Sequence, residues 1–244
     1  MPLFSEIPGC IYLPSVDSSN SAAKQLAAQG CPHGTTVIAG EQTKGRGRYG
    51  RSFSSEPGGL YMSVVLRLEA TPAETAPVTA AAAVAVCQAI ENVTGMEPRI
   101  KWVNDILLRE KKNGGILCET VTVTENAAIP WVVAGVGINM SQESIPDELL
   151  PFATGLYQTD PGDETRVRLA VEIWRKLCAP PRELLEYRRR LSTLGRVVGV
   201  HTPEGIVQAF AEDIDDQCRL LVSLPDGTRR VLFSGEASIR HEVT

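Results

Sequence analysis

Through residues 1–194 the apolar positions fall in helical spacing or in short solid runs, whereas after Gly195 they alternate in brief segments. A first helix is predicted over 16–30, VDSSNSAAKQLAAQG. Asp17, Ser18, Ser19 and Asn20 offer side-chain acceptors at its start, and Gly30 offers a stop. A second helix is predicted over 75–94, containing TAAAAVAVCQAI, and a third over 165–178, TRVRLAVEIWRKLC, which is amphipathic. Pro180 and Pro181 break that helix, and RELLEYRRRLSTLG restarts one. Apolar, β-branched runs predict buried strands over 35–42, 60–68, 100–108, 114–123 and 129–140. Beyond residue 195, VVGVHT, GIVQAFAEDI, CRLLVSL and RRVLFSG read as short strands joined by Gly, Pro and Asp-Gly turns, Pro225-Asp226-Gly227 among them. About fifty residues of this kind make a small β-barrel module. The chain thus divides into a main domain, 1–194, and a C-terminal one, 195–244.

Composition narrows the class. A net charge of −5, from 24 Lys+Arg against 29 Asp+Glu, argues against a nucleic-acid-binding surface. The six cysteines, Cys10, Cys31, Cys87, Cys118, Cys178 and Cys218, contain no CxxC pair and suggest neither a disulfide framework nor a zinc site. The N-terminus MPLFSEIPGC shows no secretory signal, and no uninterrupted apolar run reaches bilayer length, so no membrane role is expected and the cytoplasm is the simplest home.

Against that acidic background, residues 45–51 read GRGRYGR. Glycines let a backbone bend and approach a ligand, and arginines present donor forks matched to carboxylates and phosphates. Arg-Gly runs also occur in disordered RNA-binding tails, but this one lies between two predicted strands, which favours a structured anion-binding loop. KWVND (101–105) brings a cation, an amide and a carboxylate together; on one alternating strand Lys101 and Asp105 share a face, while Asn104 lies on the other with Trp102. Lys101 is suited to neutralise a phosphate, and Asp105 to orient that lysine or help hold magnesium. An edge strand with a solvated lysine is the plainer alternative. Lys112-Asn113-Gly114-Gly115 places a lysine at a turn before a buried strand, with Lys111 and Lys112 divided between solvent and site. In GVGINM (135–140) the glycines permit close approach beside Asn139, and a tightly packed core strand accounts for them equally well.

Taken in order, DSSN, EQTKGRGRYGR, KWVND, KKNGGILCE and GVGIN resemble the biotin protein ligase family, and GEASIR (235–240) resembles the end of that family's C-terminal domain. The resemblance runs from about residue 12 to residue 240. It implies an α+β fold: a class II synthetase-like catalytic domain, a mixed sheet flanked by helices, plus a small SH3-like β-barrel C-terminal domain. It also implies an ATP-dependent enzyme that makes biotinyl-5′-AMP and passes biotin to a lysine of a biotin carboxyl carrier protein.

Carried over residue by residue, the resemblance places Ser18, Ser19, Asn20, Gln42, Gly45, Arg46, Gly47, Arg48, Lys112 and Gly115 around biotin. It places Arg48, Arg51, Lys101, Asn104, Asp105 and Asn139 on the nucleotide side, with Arg48, Lys101 and Lys112 carrying the catalysis. ATP and Mg²⁺ are implied as co-substrate and ion, with no dedicated metal ligands. Arg46 and Arg48 are expected to face the ligand and Arg51 to anchor the loop. Val103 stands where the family usually has proline and Ser19 where threonine is common; the stretch 165–194 is shorter than usual. None of these departures removes a catalytic group. The first motif begins at Asp17, so no winged helix-turn-helix and no DNA binding are expected. Monomer and homodimer both remain open. Lipoate–protein ligase, which shares the catalytic fold, an RNA-binding module and a non-catalytic biotin sensor are the competing readings.

Overall fold

A computed structural model describes residues 3–67, 75–121, 131–179, 184–202, 205–233 and 237–238. Seven strands form one sheet: β1 (Cys10–Val16), β2 (Thr36–Gln42), β3 (Leu60–Arg67), β4 (Arg99–Lys101), β5 (Asp105–Leu108), β6 (Lys111–Val121) and β7 (Trp131–Ile138). Their order is β1-β2-β3-β7-β6-β5-β4, with β1 and β2 parallel and every other pair antiparallel, so the sheet is mixed. Helices α1 (Ser19–Ala28), α2 (Thr75–Thr94), α3 (Asp163–Cys178) and α4 (Leu184–Arg190) complete this part.

β3 is apolar at nearly every position because both its faces are covered. Val65 packs with Val37 and Val133 under Ala23 and Ala27 of α1. Met62, Val64 and Leu66 face the other way, into a larger core with α2 and α3. Alternate residues thus go to opposite layers, as the period of a strand requires. One helical stretch, Ala76–Thr94, is long enough and apolar enough on average to cross a bilayer, though Thr79, Gln88, Glu91 and Asn92 interrupt its apolar run. More than half of that stretch is buried, and it packs on α3 and the sheet as a core helix.

A second, separate antiparallel sheet follows: β8 (Val197–Thr202), β9 (Gly205–Ile214), β10 (Leu220–Ser223), β11 (Arg229–Leu232) and β12 (Ala237–Ser238), in the order β11-β10-β9-β8-β12. Specific bonds join this sheet and its turns to the larger part. The indole N–H of Trp102 donates to the Cys218 carbonyl at 2.9 Å, Arg188 pairs with Asp213, and Arg196 with Glu110 at 2.7 Å.

Three expectations are corrected. The stretch 100–108 is not one strand but the hairpin β4–β5, reversing through Trp102–Asn104, where the Trp102–Val103 peptide is cis. Helix α1 begins at Ser19 rather than 16, because residues up to Val16 extend β1, a strand the sequence pattern did not announce. Its Ncap, Ser18, makes no side-chain capping bond; Asp17 instead accepts from the Ser18 N–H at 2.6 Å. The Pro180-Pro181 break and most of 235–240 lie outside the described residues. All six cysteines are free thiols.

Candidate active site

Register builds the site. Across the α1 side of the sheet, Tyr61, Gly137, Gly115, Asp105 and Lys101 lie in one row, each opposite the next. The row two residues along runs Ser63, Gly135, Leu117. On β7 this face therefore reads Val133, Gly135, Gly137: a side chain where α1 covers the sheet, none where α1 ends. Asn20 packs over Gly135 and the Phe53 ring over Gly137, and a cavity of about 430 Å³ opens beside them.

The inner end of the cavity is a buried polar network. Gln42 Oε1 accepts from both the N–H and the hydroxyl of Ser19, at 2.8 and 3.0 Å, and Gln42 Nε2 donates to Ser55 Oγ at 2.8 Å. Ser63, fully buried on β3, is within 2.8 Å of the Ser19 hydroxyl and 2.6 Å of Asn20 Oδ1. Asn20 Nδ2 donates to the Leu117 carbonyl at 3.1 Å and to Glu119 at 2.9 Å. Each polar group here already has a protein partner, so the donors and acceptors are held in fixed directions before any ligand arrives.

The outer end is cationic. Lys112 pairs with Asp105 at 2.8 Å and lies 5.9 Å from the centre of the Phe53 ring. Lys111 turns away, to the Leu150 carbonyl. Lys101 and Asp105 face each other across the β4–β5 hairpin, so they share a face through pairing rather than through alternation on one strand. Burial pushes the Lys101 ammonium below the usual lysine range; Asp105 opposes that shift, and Lys112 and Arg51 reinforce it.

The arginine loop closes over this end. It is a small hairpin, with Arg46 bridging to Ser52 and the Gly47 N–H donating to Arg51 O at 2.7 Å. Tyr49 at φ 57° and Gly50 at φ 70° make its tip. Arg48 donates to Asn104 Oδ1 at 3.1 Å and to the Tyr49 hydroxyl at 2.9 Å. Asn104 in turn donates to the Ile116 carbonyl at 3.0 Å, so the loop is tied to the β4–β5 turn and through it to β6. The side chain of Arg46 reaches Glu119 at 3.0 Å.

Most residues named from sequence converge on this one cavity: Ser18, Ser19, Asn20, Gln42, Arg46, Gly47, Arg48, Arg51, Lys101, Asn104, Asp105, Lys112 and Gly115 all line it. Gly45 does not. It is buried behind the loop, where its carbonyl accepts from the Phe53 N–H at 2.9 Å. Asn139 lines an adjoining cavity of about 210 Å³ that shares Ser52, Phe53 and Lys112 with the first. Sequence reasoning missed Ser63, Phe53, Glu119 and His201, the last brought to the rim by the second sheet. The glycines of GVGIN and Gly115 of KKNGGILCE gave the signal for the floor. Among the described residues no group of three or more His, Cys, Asp or Glu side chains is arranged to hold a metal.

A seven-stranded mixed sheet carrying a polar pocket, an arginine loop and a rim of lysines, followed by a small antiparallel sheet, defines a class: the chain belongs to the Biotin/lipoate A/B protein ligase family, whose profile matches residues 12–139. The profile of the biotin protein ligase C-terminal domain matches residues 193–240. Within that family the chain is 34% identical over 232 residues to the biotin–[acetyl-CoA-carboxylase] ligase of Mycobacterium tuberculosis, spanning 89% of this chain and 83% of that one. It is 35% identical over 236 residues to the bifunctional ligase/repressor BirA of Bacillus spizizenii, covering 91% of this chain and 71% of the relative. Among solved structures, the biotin protein ligase of Aquifex aeolicus in complex with biotin and ATP superposes with a TM-score of 0.79 at 27% identity, over 96% of this chain and all of that one.

Proposed function

We infer that this chain is a biotin–[acetyl-CoA-carboxylase] ligase, joining biotin to ATP as biotinyl-5′-AMP and then transferring biotin to a lysine of a carboxylase carrier domain. The observation that carries this reading is the polarity of the pocket: a prearranged hydrogen-bonding end, and a cationic end whose lysine lies 2.8 Å from a carboxylate, in one cavity. The ureido group of biotin both donates and accepts, matching the Ser18, Ser19, Asn20 and Gln42 end. Its valeryl chain then runs past Gly115 and the Phe53 ring, and its carboxylate reaches Lys112.

In the first step a biotin carboxylate oxygen attacks the α-phosphorus and pyrophosphate leaves. Two anions must approach, and Arg48, Lys101 and Lys112 offset their repulsion. Arg51, Asn104 and Asp105 shape the nucleotide side, with Asn139 in the adjoining cavity. In the second step the carrier lysine amine attacks the acyl carbon and AMP leaves. Asp105 is the carboxylate lining the cavity, and it is already paired with Lys112, so the donor set does not fit a resident metal; magnesium would travel with the nucleotide. This reading also divides the chain near residue 194, gives the C-terminal part an SH3-like barrel, places the protein in the cytoplasm, and involves neither membrane nor nucleic acid.

Incubation with ATP, magnesium, biotin and a carrier domain tests the assignment by a mass gain of one biotin on one lysine. Transfer of lipoate in preference to biotin, or no gain, overturns it.

Two narrower outcomes are expected. With Arg48→Ala, bound adenylate escapes about tenfold faster, the loss of one charge-assisted contact between loop and phosphate. Retention of radiolabelled adenylate through rapid desalting measures this, and parent-like retention refutes it. The second concerns pH. A lysine whose charged form is disfavoured by burial loses its proton as pH rises through a value below the ordinary lysine range. In kcat/KM for ATP, which reports the free enzyme, the alkaline limb is therefore displaced downward. In kcat, with phosphate beside the ammonium, it lies higher. Lys101→Arg keeps its charge throughout and abolishes the limb. An unchanged alkaline limb in that variant removes Lys101 from the role.

A further inference from the structure

Glu119, on β6, occupies a position that binding biotin and nucleotide does not by itself explain. One carboxylate oxygen accepts from Lys24 of α1 at 2.7 Å. The other accepts from Asn20 Nδ2 at 2.9 Å and from the Arg46 guanidinium at 3.0 Å. Burial alone would raise its pKa, but the bonds from Lys24 and Asn20 and the charges of Lys24 and Arg46 reverse the sign and hold it below the usual range, so the group is an anion at neutral pH.

The two partners on that shared oxygen belong to different parts of the site. Asn20 is the hub of the inner network, gripped from the other side by Ser63 and Leu117. Arg46 is the root of the arginine loop, where the hairpin begins. The loop thus has two footings: its tip held by Arg48 on Asn104, its root by Arg46 on Glu119. Only the second leads directly into the polar end of the cavity. Asn20 and Arg46 share that one Glu119 oxygen, so a ligand that draws on the Asn20 amide acts on the same oxygen on which the loop root closes.

We propose that Glu119 is the positioning residue that couples occupancy of the inner pocket to closure of the arginine loop, through Asn20 on one side and Arg46 on the other. The proposal rests on the functional reading above. It assigns to Glu119 no contact with substrate. Arg46, expected from sequence to face the ligand, then acts through its side chain as the loop's anchor.

The test is a double-mutant cycle in the full chain. Glu119→Ala and Arg46→Ala are each expected to raise the biotin KM and to speed adenylate escape by about tenfold, while kcat for adenylate formation at saturating biotin changes less than about threefold. The double variant is expected to be no worse than the more impaired single one, because both remove one linkage. Trypsin, which cleaves after the loop arginines, is expected to cut Glu119→Ala faster than the parent at 46–51, with biotin protecting only the parent. Multiplying losses in the double variant, a loss confined to kcat, or parent-like cleavage overturns the proposal. Should Glu119→Ala fail to fold, Glu119→Gln, isosteric but uncharged, carries the same comparison. If the parent does not biotinylate a carrier domain, the functional reading falls, and loop cleavage still decides the role of Glu119.

Discussion

Lys112→Ala is expected to slow adenylate formation by about 10²–10³-fold while leaving the fold intact. Lys112 is common to both adjoining cavities, so it stands where a carboxylate seated over the glycine floor would meet the α-phosphate. Its ammonium is already directed by Asp105 at 2.8 Å, so little reorganisation remains to be done during reaction. The stability cost is small by comparison. The side chain is 39% exposed, and a half-exposed ion pair contributes about 1 kcal/mol or less. Stopped-flow detection of pyrophosphate release separates the outcomes: a loss below about tenfold would place the charge stabilisation on Arg48 and Lys101 instead.

Gly135→Ala is expected to weaken biotin binding by about 30–1000-fold, the cost of disrupting a buried hydrogen-bond hub. A Cβ at this position would overlap Asn20 Oδ1 and come within 2.8 Å of its Cγ. Asn20 cannot step aside without losing Ser63, Leu117 and Glu119 together. Gly135 sits in mid-strand between Ser63 and Leu117, so the backbone has no slack either. Isothermal titration with biotin reads the loss directly. Binding within threefold of the parent would mean that the Asn20 network is not part of the biotin site.

How much of this could be read from the chain alone depends on how local the determinants are. Helix α2 runs from 75 to 94 as expected, because its apolar run, its alanines and its core position agree. β1 escaped notice: it is an edge strand, mostly exposed or half-buried, with Pro14 in its run, so it shows no apolar alternation. The β4–β5 reversal was hidden for the opposite reason. Trp102 and Val103 are buried, so a turn there looks like the middle of an apolar strand. The expected shared face of Lys101 and Asp105 is present all the same, through cross-strand register.

The site divides in the same way. Its cations and glycines announce themselves as clusters within a few residues, and nearly all of them line one cavity. Ser63 and Glu119 do not, because each stands apart from the charged and glycine-rich clusters, within a strand that reads as structural. Their meaning lies in partners 43 and 99 residues away, which only the folded sheet supplies. Gly45 shows the converse: inside the most conspicuous motif of the chain, its work is packing behind the loop.

The bond from the Trp102 indole to the Cys218 carbonyl bears on how separable the parts of the molecule are. Trp102 follows Lys101 directly, its backbone N–H donates to the Thr193 hydroxyl at 2.9 Å, and the Val103 carbonyl accepts from the Tyr187 hydroxyl at 3.0 Å. The turn that follows Lys101 is therefore mounted from behind, partly on the segment that joins β9 to β10. A chimera that borrows this sheet from a relative would also replace part of the mounting on which Lys101 is aligned. In such a graft the backbone at 218 has to be matched along with the side chains of Asp213 and His201.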